Sequence, residues 1–182
     1  MELFEKTLDS RTLWEGYIFS ARVDTVELEN GRSAQREVVH LEHAGVAVLA
    51  IDREDNVTFV RQFRYPYGEA LLELPAGKAE PGEAPEECAR RELREETGLV
   101  AVSLRSLGMA YPSPGFCDER LYIYRAEGLS QAESSPDEDE FLKVLRLPFS
   151  QALEMALRGE IKDAKTLVAL YRCALERLSS RR

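Results

Sequence analysis

The sequence predicts a mixed α/β (α+β) fold: a sheet covered by helices, preceded by a small antiparallel β-domain. Three observations predict it. The segments run strands, helix, strands, helices, with no regular βαβ repeat. The 182 residues suit one ordinary domain with a small extension. Hydrophobic residues make up 44% and charged residues 31%, a mix that folds rather than staying disordered.

Residues 13–40 read as short strands. The stretch 13–26 is rich in β-branched and aromatic residues, Asn30-Gly31 is a hairpin-type turn, and 33–41 runs back as a partner. The apolar run 45–51 is a buried strand, 52–56 a turn, and 57–63 the return strand of a hairpin. A short strand at 71–74 ends before Pro75. The first helix lies between Pro85, suited to the first helical position, and Gly98, suited to ending it. Ala89 and Leu93, with Cys88, form its apolar stripe. Strands recur near 101–110, 120–126 and 141–147. A helix over 149–157 stops at Gly159, and Asp163 caps a last helix to about Leu178. The domain boundary falls between a β-domain at 1–42 and a larger domain at 43–182.

Composition excludes several functions. With 24 Lys+Arg against 33 Asp+Glu the net charge is −9, which argues against a nucleic-acid-binding surface. An anionic substrate then needs metal ions or a few placed arginines. The longest apolar run, 44–51, is far short of a membrane span. The first ten residues resemble neither a signal nor a transit peptide. Cys88, Cys117 and Cys173 show no CxxC spacing, so neither a disulfide framework nor a zinc site is expected. A cytoplasmic protein without nucleic-acid or membrane partners fits these features.

The stretch that carries chemistry is 77–99, GKAEPGEAPEECARRELREETGL. Glu92 and Glu96 are four residues apart on the helix and share a face, with Glu95 on the same side. Such carboxylates repel by about 0.2–0.5 kcal/mol per pair in an isolated helix. A hard divalent cation reverses that sign, because Mg²⁺ takes carboxylate oxygens. Glu83 precedes the helix, where its dipole favours an anion, and Arg91 is near enough to hold a carboxylate. On charge alone, a solvated helix laced with the pairs Glu86–Arg90, Glu87–Arg91 and Arg91–Glu95 looks much the same.

The wider spacing favours the cation. Gly77, five residues, Glu83, seven residues, then Arg91-Glu92-Leu93-Arg94-Glu95-Glu96-Thr97-Gly98-Leu99 resembles the Nudix box without a departure. A chance match of these seven fixed and two aliphatic positions is rarer than roughly one in a million. The sequence is identified by this resemblance as a Nudix hydrolase, which implies an α/β/α sandwich around a mixed sheet. Pro114, fifteen residues after Leu99, resembles the marker of the ADP-ribose pyrophosphatase branch. So do the strands Arg61-Gln62-Phe63-Arg64 and Glu73-Leu74-Pro75-Ala76-Gly77, the acidic run 137–141 and the tail 159–164.

The resemblance implies Mg²⁺-dependent hydrolysis of ADP-ribose to AMP and ribose 5-phosphate, with two or three ions and Mn²⁺ as a substitute. It implies Glu92 and Glu96 as metal ligands, Glu95 as a supporting ligand, and the Ala76 carbonyl as a further one. The general base is expected on a loop, Glu140 first and Glu138 second. Glu83 and Arg91 support the box. Arg64 meets a phosphate or the terminal ribose, Arg36 beside Glu37 flanks the adenine, and Glu73, Pro114 and Gly115 complete the expected substrate site. Trp14, Tyr17, Tyr65 and Tyr67 are expected first in the core, with an adenine face or a dimer contact as alternatives. His40 and His43 are expected to be structural. A homodimer through the N-terminal sheets is also implied. Two alternatives stay open: hydrolysis of another nucleoside diphosphate sugar or NADH, and a non-catalytic Nudix-like ligand sensor.

Overall fold

A computed structural model describes residues 3–132 and 141–180. The chain forms two compact units, Met1–Ala44 with Tyr111–Arg120, and Gly45–Ala110 with Leu121–Arg182.

The first unit is an antiparallel sheet of β1 (Lys6–Glu15), β2 (Ser20–Glu27) and β3 (Ser33–His40), in that spatial order. The strand-rich stretch 13–26 is not one strand. It is broken by a turn in which the Gly16 N–H donates to the Phe19 carbonyl at 3.1 Å. Trp14 packs on Phe19 with ring centroids 4.9 Å apart, and a Cβ on Gly16 would fall inside the Trp14 indole. The Asn30-Gly31 turn forms as expected, with Gly31 at φ +76°. Segment 111–120 is tied to the end of β3, beyond the 1–42 span expected from sequence. The Val39 N–H donates to the Phe116 carbonyl at 2.7 Å, and Asp118 accepts from the Leu41 N–H at 3.0 Å and pairs with His40 Nδ1 at 2.6 Å.

The second unit is a seven-stranded mixed sheet. Its strands are β4 (Gly45–Ile51), β5 (Asn56–Arg64), β6 (Glu69–Glu73), β7 (Ala76–Lys78), β8 (Leu99–Ala110), β9 (Leu121–Gln131) and β10 (Lys143–Pro148). The order is β10-β5-β4-β9-β8, with β6 on β5 and β7 on β4; only β4 and β9 pair in parallel. The helices are α1 (Pro85–Thr97), α2 (Phe149–Leu157) and α3 (Ala164–Ser179).

Strand β4 explains the layering. Every residue in it is buried, because both faces of the sheet are covered. Ala47, Leu49 and Ile51 pack with Phe149 and Ala152 of α2 and Ala169 and Leu170 of α3. The alternate residues Val46, Val48 and Ala50 pack with Cys88, Ala89 and Leu93 of α1. An α/β/α sandwich results. Burial pushes the Cys88 thiol up to about 12, so it behaves as a small apolar filler.

The expected 45–63 hairpin is only partly a hairpin. β4 meets β5 through Ala50–Thr58 and Ile51–Val57 alone. Beyond that point β5 pairs with β6, while the start of β4 pairs with β7, a strand not foreseen in the sequence. This divergence brings the 73–78 segment alongside the sheet, and α1 follows it. Among the described residues, no helix is long and apolar enough to cross a membrane.

Candidate active site

Helix α1 begins and ends as its sequence dictates. The Ala84 N–H is met by the Glu87 carboxylate at 3.2 Å, and Gly98 in the left-handed region donates its N–H to the Arg94 carbonyl at 2.8 Å. Glu87 is therefore used as a cap, and the Glu87–Arg91 pair expected from spacing is replaced. Glu86–Arg90 and Arg91–Glu95 do form, each at 3.0 Å.

Arg91 turns instead to the loop before the helix. Its Nε and Nη2 donate to the two Glu83 oxygens, each at 2.9 Å, and Nη2 also reaches the Lys78 carbonyl at 3.0 Å. Its Nη1 bonds Glu92 at 2.8 Å and Glu95 at 3.0 Å. One guanidinium thus fixes the 78–83 loop against α1 and spaces three carboxylates. The Arg91 hydrogen bonds hold the Glu83 carboxyl down at about 2, and the Glu80 N–H adds to this.

Glu92 and Glu96 both lie against β7. A Cβ on Gly77 would occupy the Glu92 carboxylate, so only glycine permits that approach. Glu96 is buried and accepts from the Ala76 N–H at 3.0 Å. The i,i+4 spacing of the two glutamates and the absent side chain at Gly77 are one device. Among the described residues, no three acidic, His or Cys side chains converge as a ready cation cluster, and Arg91 bonds an oxygen of both Glu92 and Glu95. The donor set still fits a hard divalent cation: carboxylate oxygens on one helical face, beside a glycine cradle.

A second charged group lies on the same unit. Arg64, at the end of β5, pairs with Glu73 of β6 through Nε at 2.7 Å and Nη2 at 2.8 Å. Lys165 Nζ also bonds Glu73 Oε2, and bonds Asp163 at 2.9 Å. The Glu73 side chain, expected at the substrate site, is 1% exposed and pairs with two cations, Arg64 and Lys165. Burial alone would raise its carboxyl, but Arg64 and Lys165 outweigh that and keep it below its ordinary value. Asp163 caps α3 through the Thr166 N–H at 3.0 Å, as its position suggested. Thr166 Oγ1 in turn accepts from the Leu74 N–H at 2.9 Å. Asp163 was read only as a cap and as part of the 159–164 tail, and Lys165 and Thr166 escaped the reading of the sequence. The available signal was Glu73 itself: a carboxylate flanked by Leu71, Leu72 and Leu74 is a candidate for burial, and a buried carboxylate needs cations.

The remaining expected residues belong to other segments of the chain. Arg36 and Glu37 lie on β3 of the other unit; both are exposed, and Arg36 pairs bidentately with Glu5. Pro114 and Gly115 also belong to that unit, on exposed positions of a turn in which the Cys117 N–H donates to the Ser113 carbonyl. Glu138 and Glu140 lie outside the described residues. The core placement of the aromatics is corrected. Trp14 lies near the end of β1, Tyr17 in the β1–β2 turn and Tyr65 and Tyr67 in a 3₁₀ turn after β5, and all four are exposed. His40 is structural, through Asp118.

A mixed sheet between α1 and the α2–α3 layer, carrying a glutamate-rich helix against the glycine of a short strand, defines the class. Residues 41–170 match the NUDIX domain, and the chain belongs to this family. Residues 5–39 match the nucleoside diphosphate sugar hydrolase N-terminal domain. The chain is 43% identical over 171 residues to the ADP-ribose pyrophosphatase of Bacillus subtilis (strain 168), covering 92% of this chain and 91% of that protein. It is 40% identical over 175 residues to the methanol dehydrogenase activator of Bacillus methanolicus, covering 94% of each. A crystal structure of an ADP compounds hydrolase superposes with a TM-score of 0.87 at 23% identity, covering 100% of this chain and 98% of that one, a likeness of fold.

Proposed function

We propose that this chain is a pyrophosphohydrolase that cleaves ADP-ribose with water into AMP and ribose 5-phosphate. The observation that carries the chemistry is the Glu92–Glu96 face held against Ala76–Gly77 by Arg91 and Glu83. The substrate is carried by the 43% identity to an ADP-ribose pyrophosphatase over nearly the whole chain.

Glu92 and Glu96, with Glu95 and the Ala76 carbonyl in support, would hold two or three Mg²⁺, or Mn²⁺ in their place. Such ions supply charge neutralisation on the diphosphate and a more acidic bound water. Arg91 keeps the glutamates aligned, and Glu83 keeps Arg91 in place. Arg64 offers a guanidinium to the diphosphate or the terminal ribose. Glu140, or Glu138 two residues earlier, accepts the proton from the attacking water. Arg36 and Glu37 serve the adenine end, and Pro114 and Gly115 belong to the same substrate site.

The enzyme acts as a cytoplasmic homodimer. Strand β1, at the edge of its sheet, is exposed along all ten residues and presents Leu8, Leu13 and Trp14, the kind of apolar edge that pairs with a second copy. Light scattering is expected to give twice the chain mass; a fully active monomer overturns this part.

The function is tested by AMP release from ADP-ribose with and without Mg²⁺, beside ADP-glucose, NADH and GDP-mannose. Strong Mg²⁺-dependent turnover with ADP-ribose preferred is expected. Preference for another member of the panel moves the substrate and keeps the chemistry. Binding of ADP-ribose without turnover of anything replaces the enzyme with a sensor.

A further inference from the structure

The buried group around Glu73 has a division of labour that its contacts reveal. Glu73 Oε2 accepts from both Arg64 Nη2 and Lys165 Nζ, while Oε1 accepts only from Arg64 Nε among the described contacts. Lys165 is itself steadied by Asp163, which is fixed as the cap of α3. The four formal charges cancel, yet they differ in access to water. The Glu73 side chain is 1% exposed, whereas that of Arg64 is 38% exposed. The pairing with Glu73 uses Nε and Nη2 of Arg64 and leaves Nη1 outside it.

We infer that Lys165 is a positioning residue for diphosphate recognition, acting through Glu73 on Arg64. By sharing Glu73 Oε2, it keeps that carboxylate from neutralising Arg64 completely. By fixing the carboxylate from below, it sets the orientation of the guanidinium. Arg64 then presents a held guanidinium whose Nη1 side lies outside the pair and can donate to phosphate oxygens. Without the lysine charge, Glu73 belongs to Arg64 alone, and the attraction of that pair for an anion falls. The inference rests on the proposed hydrolysis of a nucleoside diphosphate and deepens it.

The test is steady-state hydrolysis of ADP-ribose with Mg²⁺ by wild type, Lys165→Met, Lys165→Arg, Arg64→Met and the Arg64→Met/Lys165→Met double variant. Inorganic pyrophosphate serves as the competing diphosphate, and its binding to each protein is also measured by calorimetry. Lys165→Met is expected to raise KM about tenfold with kcat within about twofold, and to weaken pyrophosphate in parallel. Lys165→Arg restores most of both. In the Arg64→Met background the lysine substitution adds nothing, because its route to the substrate is gone. An equal further loss in that background, or an unchanged KM in Lys165→Met, overturns the inference. Should Lys165→Met fail to fold, Lys165→Gln takes its place, since it keeps a donor for Glu73 and removes the charge. Absence of ADP-ribose turnover by wild type defeats the proposed function, whereas the pyrophosphate calorimetry still decides the role of Lys165.

Discussion

Two charged clusters share the second unit and are built on opposite principles. Around Arg91, one guanidinium is divided among Glu83, Glu92 and Glu95, with Glu96 close by against Ala76. Negative charge is in excess and solvent reaches it. Around Glu73, two carboxylates face two cations, and the central carboxylate is sealed from water. Excess charge beside water is a poor stabiliser and a good cation receptor. Balanced charge in the interior is costly to disturb and suited to holding a side chain in place. Substitutions should therefore act mainly on rate in the first cluster and mainly on stability or substrate affinity in the second.

The largest effect is expected at Glu96. Glu96→Gln keeps the size and the bond to the Ala76 N–H but removes a charged cation ligand. We expect kcat to fall by about three orders of magnitude with the melting temperature little changed. Stopped-assay kinetics beside thermal melts check this. A variant retaining most of its rate would break the assignment of the first cluster to metal binding.

Next comes the general base. Glu140→Gln should lower kcat by about 10²-fold and leave Mg²⁺ binding intact, measured by kinetics and by Mn²⁺ titration followed by electron paramagnetic resonance. The same loss in Glu138→Gln alone moves the base by two residues. The first cluster would then still hold the metal, and the comparison would sharpen by one residue.

Much of this contrast was legible in the sequence for one cluster and little for the other. The first cluster is local: 76–99 carries every group, and helical spacing alone puts Glu92 and Glu96 on one face. The strand over 45–51 and the helix over 149–157 were legible for a similar reason, since apolar runs and flanking turn residues are local signals. The second cluster joins Glu73 to Lys165 across 92 positions, and no periodicity links them. Strand β7 was missed because three residues after a proline carry almost no pattern; only pairing with β4 makes them a strand. The exposed positions of Tyr65 and Tyr67 were misread because an aromatic side chain is as suited to a binding face as to a core.

A smaller effect, on stability, is expected at Thr166. Its hydroxyl is fully buried, donates to Asp163 and accepts from the Leu74 N–H. Thr166→Val keeps the shape and leaves that N–H without its acceptor, at a cost of about 1–3 kcal/mol. For a chain of this size that corresponds to a melting temperature lower by about 3 °C or more. The rate constant should fall far less than in Glu96→Gln. A large loss of kcat with no loss of stability would erase the distinction between the clusters.

The smallest effect concerns acid, and it separates the clusters by pH. Arg91 holds the folded-state carboxyl of Glu83 at about 2, against an ordinary value of 4.5. A depressed carboxyl contributes stability that is complete above the ordinary value and fades as pH falls through the folded one. The Glu83–Arg91 contribution is thus whole above about pH 4.5 and lost progressively between there and about pH 2. Urea melts of wild type and Glu83→Gln across pH 2–6 should show wild type the more stable near pH 6, with the two curves converging as pH falls. Glu73 is also held low, but its partners are the same in both proteins, so its titration cancels from the difference. Parallel curves would mean that the Arg91 bonds to Glu83 add nothing to the fold, and that the loop before α1 is held by the Glu80 N–H and the Lys78 carbonyl instead.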